Sequence, residues 1–285
     1  MVGHFGAMDI EAAFNAIRSD MAAGHTSEVG PKVMAIADAT NDSFTLIKCM
    51  SLLKVVNDSA TMTELLRKIM ENLGDDTQGR IEIAGALRGL DYPMQAYDIL
   101  KTMEQNDSII RMSALCLTDL EEYEMALDLT GKIVNPTVGD KIMLAEIQSA
   151  LGEHAMAINT ATELLAGFPK EYEVMRCYVS TLILGGREKD AMKYARMVLK
   201  DKTADANAIA AYVMRVLGNV KAAGGYATRA VQMDNKHIGA METLGICLAQ
   251  KGEYDKARIV AGAINETSPG NKAALNIIGY CDDGN

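Results

Sequence analysis

Apolar residues in this chain recur in helix-length blocks. A glycine and two to four polar residues follow the best of them. Four blocks are clearest: Ile142 to Leu151, Val174 to Leu184, Ala206 to Leu217 and Ala240 to Ala249. Behind each glycine come residues such as Glu153-His154 or Arg187-Glu188-Lys189-Asp190, and then a second helical block. Glycine just past a helix end takes the left-handed conformation without a Cβ penalty, so each unit predicts a helix, a tight turn and a second helix. Extended along the chain, the pattern predicts helices over 8–22, 28–39, 43–56, 61–73, 78–90, 93–105, 107–119, 122–134, 138–151, 154–167, 171–185, 188–200, 204–217, 220–233, 237–250, 254–267 and 271–281. No strand is needed. Pro31 fits the start of its helix rather than the middle, because its ring clashes with the preceding turn of a helix interior.

A finer repeat lies inside the blocks. Gly-x4-Ala-x3-Ala occurs as Gly152/Ala157/Ala161, Gly186/Ala191/Ala195, Gly218/Ala223/Ala227 and Gly252/Ala257/Ala261, at offsets of 34, 32 and 34 residues. Alanines four apart share one helical face and let a neighbouring helix approach closely. A period in the low thirties is that of stacked helical hairpins.

These residues resemble the tetratricopeptide repeat (TPR) superfamily. The fullest copy runs from Ile238 to Asn271, with Leu244-Gly245 in its first helix, Gly252 and Tyr254 at the turn, Ala257 and Ala261 in its second helix and Pro269 at its end. Ala261 stands where a larger residue is usual, and the early Trp is absent. Tyr123/Ala126/Thr130 and Tyr92/Ala96, with Pro93 opening a helix, are fainter copies. The likeness is clearest over 138–281, fainter over 77–137 and faintest before. It implies an all-α, right-handed superhelical solenoid of antiparallel helix pairs, about eight hairpins plus a C-terminal helix. Residues 1–7 are expected to be a loose tail, with Met8 a possible start. Residues 8–76 would be degenerate N-terminal hairpins, 77–281 the array continuous with them, and 282–285 a tail.

In proteins of this kind the first helices of the pairs line a concave groove that binds an extended peptide or a partner helix. On the repeat register that face includes Arg88, Arg111, Glu146, Arg176, Tyr212, Arg215 and Glu242. The Arg residues can recognise carboxylates through bidentate hydrogen bonds. Tyr212 can anchor an apolar contact. They can equally balance acids along the groove. The Lys and Asn constellation by which some members hold a partner's C-terminal carboxylate is missing, so a chaperone-tail co-adaptor is not expected.

Charge narrows the partners. The net charge is −10, and residues 1–136 carry all of it, with 21 acidic against 11 basic side chains. Nucleic acid and anionic membranes need a basic footprint, so neither is expected. Asp119, Glu121, Glu122 and Glu124 form the densest acidic run, either a solvated turn or a docking patch for a basic partner. There is no apolar run of the ~20 residues needed to span a bilayer, nor a signal-peptide pattern. The 19 Met suit adaptable core filling, or a repackable surface. Cys49, Cys116, Cys177, Cys247 and Cys281 form no CxxC pair, which suggests buried, reduced thiols in a cytoplasmic protein. Asn41 and Asn106, each in an Asn-Asp-Ser sequon, read as helix N-caps.

No catalytic motif stands out. Gly131-Lys132 lacks the rest of a phosphate loop, and Gly185-Gly186 and Gly224-Gly225 lie in helical repeats without a preceding strand. His4, His25, His154 and His237 are scattered. A non-catalytic scaffold without cofactor or metal is the expectation, with self-assembly as the alternative and an enzyme or enzyme subunit a third. The apolar run Ala273, Ala274, Leu275, Ile277, Ile278 and Tyr280 suggests a homodimer through the last helix, unless these residues all fit against the preceding hairpin.

Overall fold

The computed structural model describes residues 9–268 and 271–282. The expected tails, Met8 and Pro269 lie outside the described residues, except Asp282, which ends the last helix. Seventeen α-helices and no strand occur among the described residues. They form eight consecutive pairs and a closing helix. The pairs are α1 (Ile10–Ala22) with α2 (Val29–Ala39), α3 (Ser43–Val55) with α4 (Ser59–Leu73), α5 (Thr77–Gly89) with α6 (Pro93–Leu100), and α7 (Asp107–Asp119) with α8 (Tyr123–Thr130). They continue with α9 (Val138–Ala150) and α10 (His154–Gly167), α11 (Tyr172–Leu184) and α12 (Glu188–Val198), α13 (Ala204–Val216) and α14 (Val220–Met233), and α15 (Ile238–Ala249) and α16 (Tyr254–Thr267), closed by α17 (Lys272–Asp282). This is the expected all-α array of helical hairpins. Pro31 sits in the first turn of α2, where its missing N–H has no intrahelical role.

One backbone device makes every hairpin. Gly152, Gly186, Gly218 and Gly252 have φ of 78°, 72°, 81° and 77°. The same left-handed place is held by Gly24, Asn57, Asp91 and Glu121, with φ of 78°, 57°, 65° and 61°. The following residue then donates its N–H to the carbonyl five residues back. This bond joins His25 to Asp20, Asp58 to Leu53, Tyr92 to Leu87, Glu122 to Leu117, Glu153 to Gln148, Arg187 to Leu182, Asn219 to Met214 and Glu253 to Leu248, at 2.7–3.0 Å. It is the 6→1 bond of a Schellman motif, which satisfies a carbonyl left open at the helix end. The thirty-odd-residue period therefore runs through the N-terminal half as well.

Other ends differ from expectation. Helices α6 and α8 are only 8 residues long. Beyond α6 the Thr102 hydroxyl donates to the Ile99 carbonyl, and the Gln105 amide donates to the Leu100 and Met103 carbonyls. In the last turn of α8 the Thr130 hydroxyl donates to the Leu127 carbonyl, which also accepts from the Gly131 N–H. Side chains thus bond carbonyls at these helix ends. Asn106 caps α7 as expected, accepting from the N–H groups of Ser108 and Ile109. Asn41 does not cap α3; Asp42 does, by accepting from Thr45, while Asn41 accepts from the Asn72 side chain.

The chain packs as two compact units, Met1–Cys116 and Leu117–Asn285, dividing within α7. Residue 77, the expected subdivision, is where the repeat motif becomes readable in sequence. The first unit has one continuous core, from Phe14 on α1 through Ile36, Leu53, Leu65, Ile83 and Leu87 to Ile109 on α7. The second is built in layers. Helices α9, α11, α13 and α15 each pack against the next odd-numbered helix as well as their pair-mate. The backbones of helices α10, α12, α14 and α16 stay further from one another. Close packing on one side and spreading on the other curves the unit, with the odd helices on its concave face. The repeat alanines 157, 161, 191, 195, 223, 227, 257 and 261 are all buried between the layers. In α17, Ala273, Ala274, Ile277 and Cys281 are buried as well, and a Cβ on Gly245 would lie 2.5 Å from Ile277 Cδ1. Only Leu275 and Tyr280 stand out as exposed large apolar side chains on this helix.

Candidate functional site

The concave face of the second unit gathers five of the residues expected there. Arg176 on α11 sits between two carboxylates. Its Nε donates to Glu173 Oε2 at 3.0 Å, and its Nη2 lies 3.8 Å from Glu146 Oε1 on α9. Burial works against the guanidinium charge, but Glu173 and Glu146 outweigh it and hold Arg176 more firmly protonated than usual. Glu146 shifts the other way. The crowding of the concave face pushes its carboxyl above the ordinary range, with Arg176 and Lys272 opposing. Glu242 on α15 accepts from the Asn276 amide of α17 at 2.7 Å. Tyr212 on α13 shares a 3.2 Å hydrogen bond with the Ser180 hydroxyl, one helix back.

Arg215 differs from these. Its guanidinium carbon lies 5.5 Å from the centre of the Tyr212 ring, within cation–π range. Its Nε is buried without a hydrogen-bond acceptor, and the guanidinium makes no ion pair among the described residues. A buried donor left unpaired is costly. This is therefore the place on the face where an acceptor is wanting.

Two features of the face were not foreseen. Tyr172, at the start of α11, reaches past α13 to α15. Its ring meets His237 edge-on at 4.5 Å, and a Cβ on Gly239 would lie 2.1 Å from its hydroxyl. Burial, helped by Glu173, Glu242 and Tyr212 and opposed by Arg176, raises the Tyr172 phenol well above its usual range. The sequence signals were the small residues Ala208 and Gly239, whose spacing means nothing until α11 and α15 are known to be neighbours. Second, Lys272, at the start of α17, pairs with Asp119, at the end of α7. One member of the acidic run is thus an internal ion-pair partner. Arg88 on α5 and Arg111 on α7 are half-buried side chains of the first unit.

No group of three or more His, Cys, Asp or Glu residues among the described residues could hold a metal ion. All five cysteines are buried, and none is in a disulfide. Burial pushes the Cys49 and Cys177 thiols up to about 12, away from reactive thiolate. Among the described residues no helix is long and apolar enough to cross a membrane.

No protein-family model matches the chain, and neither does any curated protein. Solved structures do. A tetratricopeptide repeat protein from Parabacteroides merdae ATCC 43184 superposes with a TM-score of 0.52 at 13% identity, covering 84% of this chain and 98% of its own. The fold is the TPR fold. YrrB, a TPR protein with an unusual peptide-binding site, gives a TM-score of 0.35 at 15% identity over 75% of this chain and 97% of its own. The P58(IPK) TPR domain gives 0.32 at 13% identity over 97% of each chain. In TPR terms, Glu146, Arg176, Tyr212, Arg215 and Glu242 all belong to first helices of their repeats.

Proposed function

We propose that this protein is a non-catalytic interaction scaffold. The concave face of its second unit takes a carboxylate-bearing peptide, or the end of a partner helix, with Arg215 as its main polar contact and Tyr212 as an aromatic wall. Arg176 plays a different part from the one its residue type suggests. With Glu146 and Glu173 already beside it, it organises the face and does not wait for a ligand. Glu242 and Asn276 do the same at the other end. The observation that carries the reading is the unpaired Arg215 guanidinium among charges that otherwise have partners. A preformed face keeps the ordering cost on the protein side low. Five buried thiols, none of them in a disulfide, fit a reducing compartment, and we place the protein in the cytoplasm on that ground. Arg88 and Arg111 belong to the first unit, and we propose them as partner contacts of that unit by itself.

The test is a peptide array in which each sequence appears with a free and an amidated C-terminus. Wild-type protein should retain carboxylate peptides that Arg215→Ala releases, at unchanged helicity. An array pattern identical for wild type and Arg215→Ala would remove the proposal.

A further inference from the structure

The outer layer of the second unit carries a charge pattern of its own. Lys189, Lys193 and Arg196 on α12, and Lys200 in the turn that follows it, are spaced 4, 3 and 4 residues apart. At 100° per residue these positions fall within about 60° of one another on the helix. All four are exposed, and none makes an ion pair or side-chain hydrogen bond among the described residues. The neighbouring cations show the usual alternative. Arg187 pairs with Asp190 at 2.6 Å, Lys256 with Glu253 at 2.5 Å, and Arg258 with Asp282 at 3.3 Å. A row of four unmatched cations sets up a local positive field that a partner's carboxylates can use.

The surface beside the stripe is not plain solvent. Helix α12 is flanked by a groove on each side. Toward α10 the groove holds about 600 Å³ and is walled by Leu165, Tyr178, Tyr194 and Met197. On the other side a groove of about 450 Å³ lies over Met192 and over Leu217 at the end of α13. Both volumes are within the ~300–1,000 Å³ of clefts that take ligands. Lys193 and Arg196 line both grooves. Met197 is 53% exposed and Leu217 36% exposed.

We propose that α12 is a second docking surface, separate from the concave face, for an acidic helical segment that also carries apolar side chains. Charge selects the sign of the partner. The apolar grooves select a protein segment over a bare polyanion, because nucleic acid offers no aliphatic side chains to fill them. The net charge of −10 also disfavours extended polyanions, whereas a peptide meets only the local field, since charges beyond about 8 Å are screened. The partner's carboxylates would pair with Lys193, Arg196 and Lys200 while its apolar side chains enter the groove between α10 and α12.

The probe is a fluorescein-labelled synthetic helix with Glu at four positions spaced to match the stripe and Leu on the adjoining face. Fluorescence anisotropy on the full chain should show saturable binding that weakens with salt. It should fall at least about tenfold in Lys193→Glu/Arg196→Glu and less in Lys189→Gln/Lys200→Gln, with helicity unchanged in both. Arg215→Ala should leave it unaltered, which separates this surface from the concave one. A Gln-for-Glu version of the peptide should not bind. The proposal is overturned if the double reversal leaves peptide affinity intact, or if Arg215→Ala abolishes it. It also fails if phosphatidylserine vesicles or an oligo-dT strand bind through the stripe while the peptide does not, or if wild-type protein self-associates through it in preference to the peptide.

Discussion

The two units make the same turn with different side chains between their helices. In the second unit, the fifth and ninth residues after the left-handed turn position are alanine in four successive hairpins, and all eight are buried. In the first unit the same places hold Val29 and Val33, Met62 and Leu66, and Ala96 and Leu100. Small residues bring helices close, and the second unit's core divides into separate clusters, one centred on Ala145, Ala161 and Cys177 and another on Ala208, Ala230 and Ala240. Large residues hold helices further apart around one continuous aliphatic core. The backbone repeat thus survives where the side-chain repeat has been lost. Stability should respond in opposite ways in the two places.

The largest effect should come from emptying the first unit. Leu87 on α5 is fully buried within the continuous core. Leu87→Ala should cost about 2–5 kcal/mol, through lost transfer energy and the cavity left behind. Urea unfolding followed by circular dichroism measures it. A cost below that of the overpacking variants described next would break the contrast between the units.

Overfilling the second unit comes next. Ala191 and Ala223 are 0% exposed at the contact between the layers. Ala191→Leu or Ala223→Leu should cost about 1–3 kcal/mol, because the helices must separate. Lys189→Ala, on the exposed face of α12, should shift the same unfolding curve little. Equal shifts at both kinds of site would mean that the alanines are not at the close approach.

The same contrast governs what could be read from sequence. The eight hairpins and the closing helix were legible throughout, since apolar blocks and breaks mark them even where the motif fades. The exact repeat register was not legible before residue 92. There the diagnostic glycine gives way to Asn57 and Asp91, residues whose side chains tolerate the left-handed conformation but do not announce it. The candidate face was half legible. Position on the first helices follows from the repeat, and Glu146, Arg176, Tyr212, Arg215 and Glu242 do lie on such helices. Which cations already have partners depends on contacts between repeats, as when Glu146 reaches Arg176 across 30 residues of sequence. No periodicity carries that information.

A smaller effect tests the shared turn. Gly218 and Glu121 occupy equivalent left-handed positions, at φ 81° and 61°. A side chain in that conformation costs roughly 1–2 kcal/mol, while glycine loses more entropy on folding by about 0.5–1 kcal/mol. Gly218→Ala should therefore destabilise by about 1 kcal/mol, and Glu121→Gly should be neutral or stabilising by up to about 1 kcal/mol. Two shifts of the same sign in thermal unfolding would show that the two turns are not the same device.

The smallest effect concerns Glu146, and its sign separates two forces. The carboxyl is raised above its ordinary 4.5 by burial, against the pull of Arg176. A raised carboxylate pKa means that the folded chain holds the proton more tightly than the unfolded chain. Stability from this group is then full below about pH 4.5 and is lost as the pH rises through the folded value. At neutral pH the ionised Glu146 is a small net burden. It stays small because its side chain is 49% exposed and solvent screens it. Glu146→Gln should therefore unfold at slightly higher urea than wild type at neutral pH, with the gain vanishing near pH 4. Arg176 keeps Glu173 at 3.0 Å in the variant, so its charge does not lose its only partner. A loss of stability at neutral pH would mean that attraction to Arg176 outweighs burial, and that the pair is a stabilising contact of the concave face.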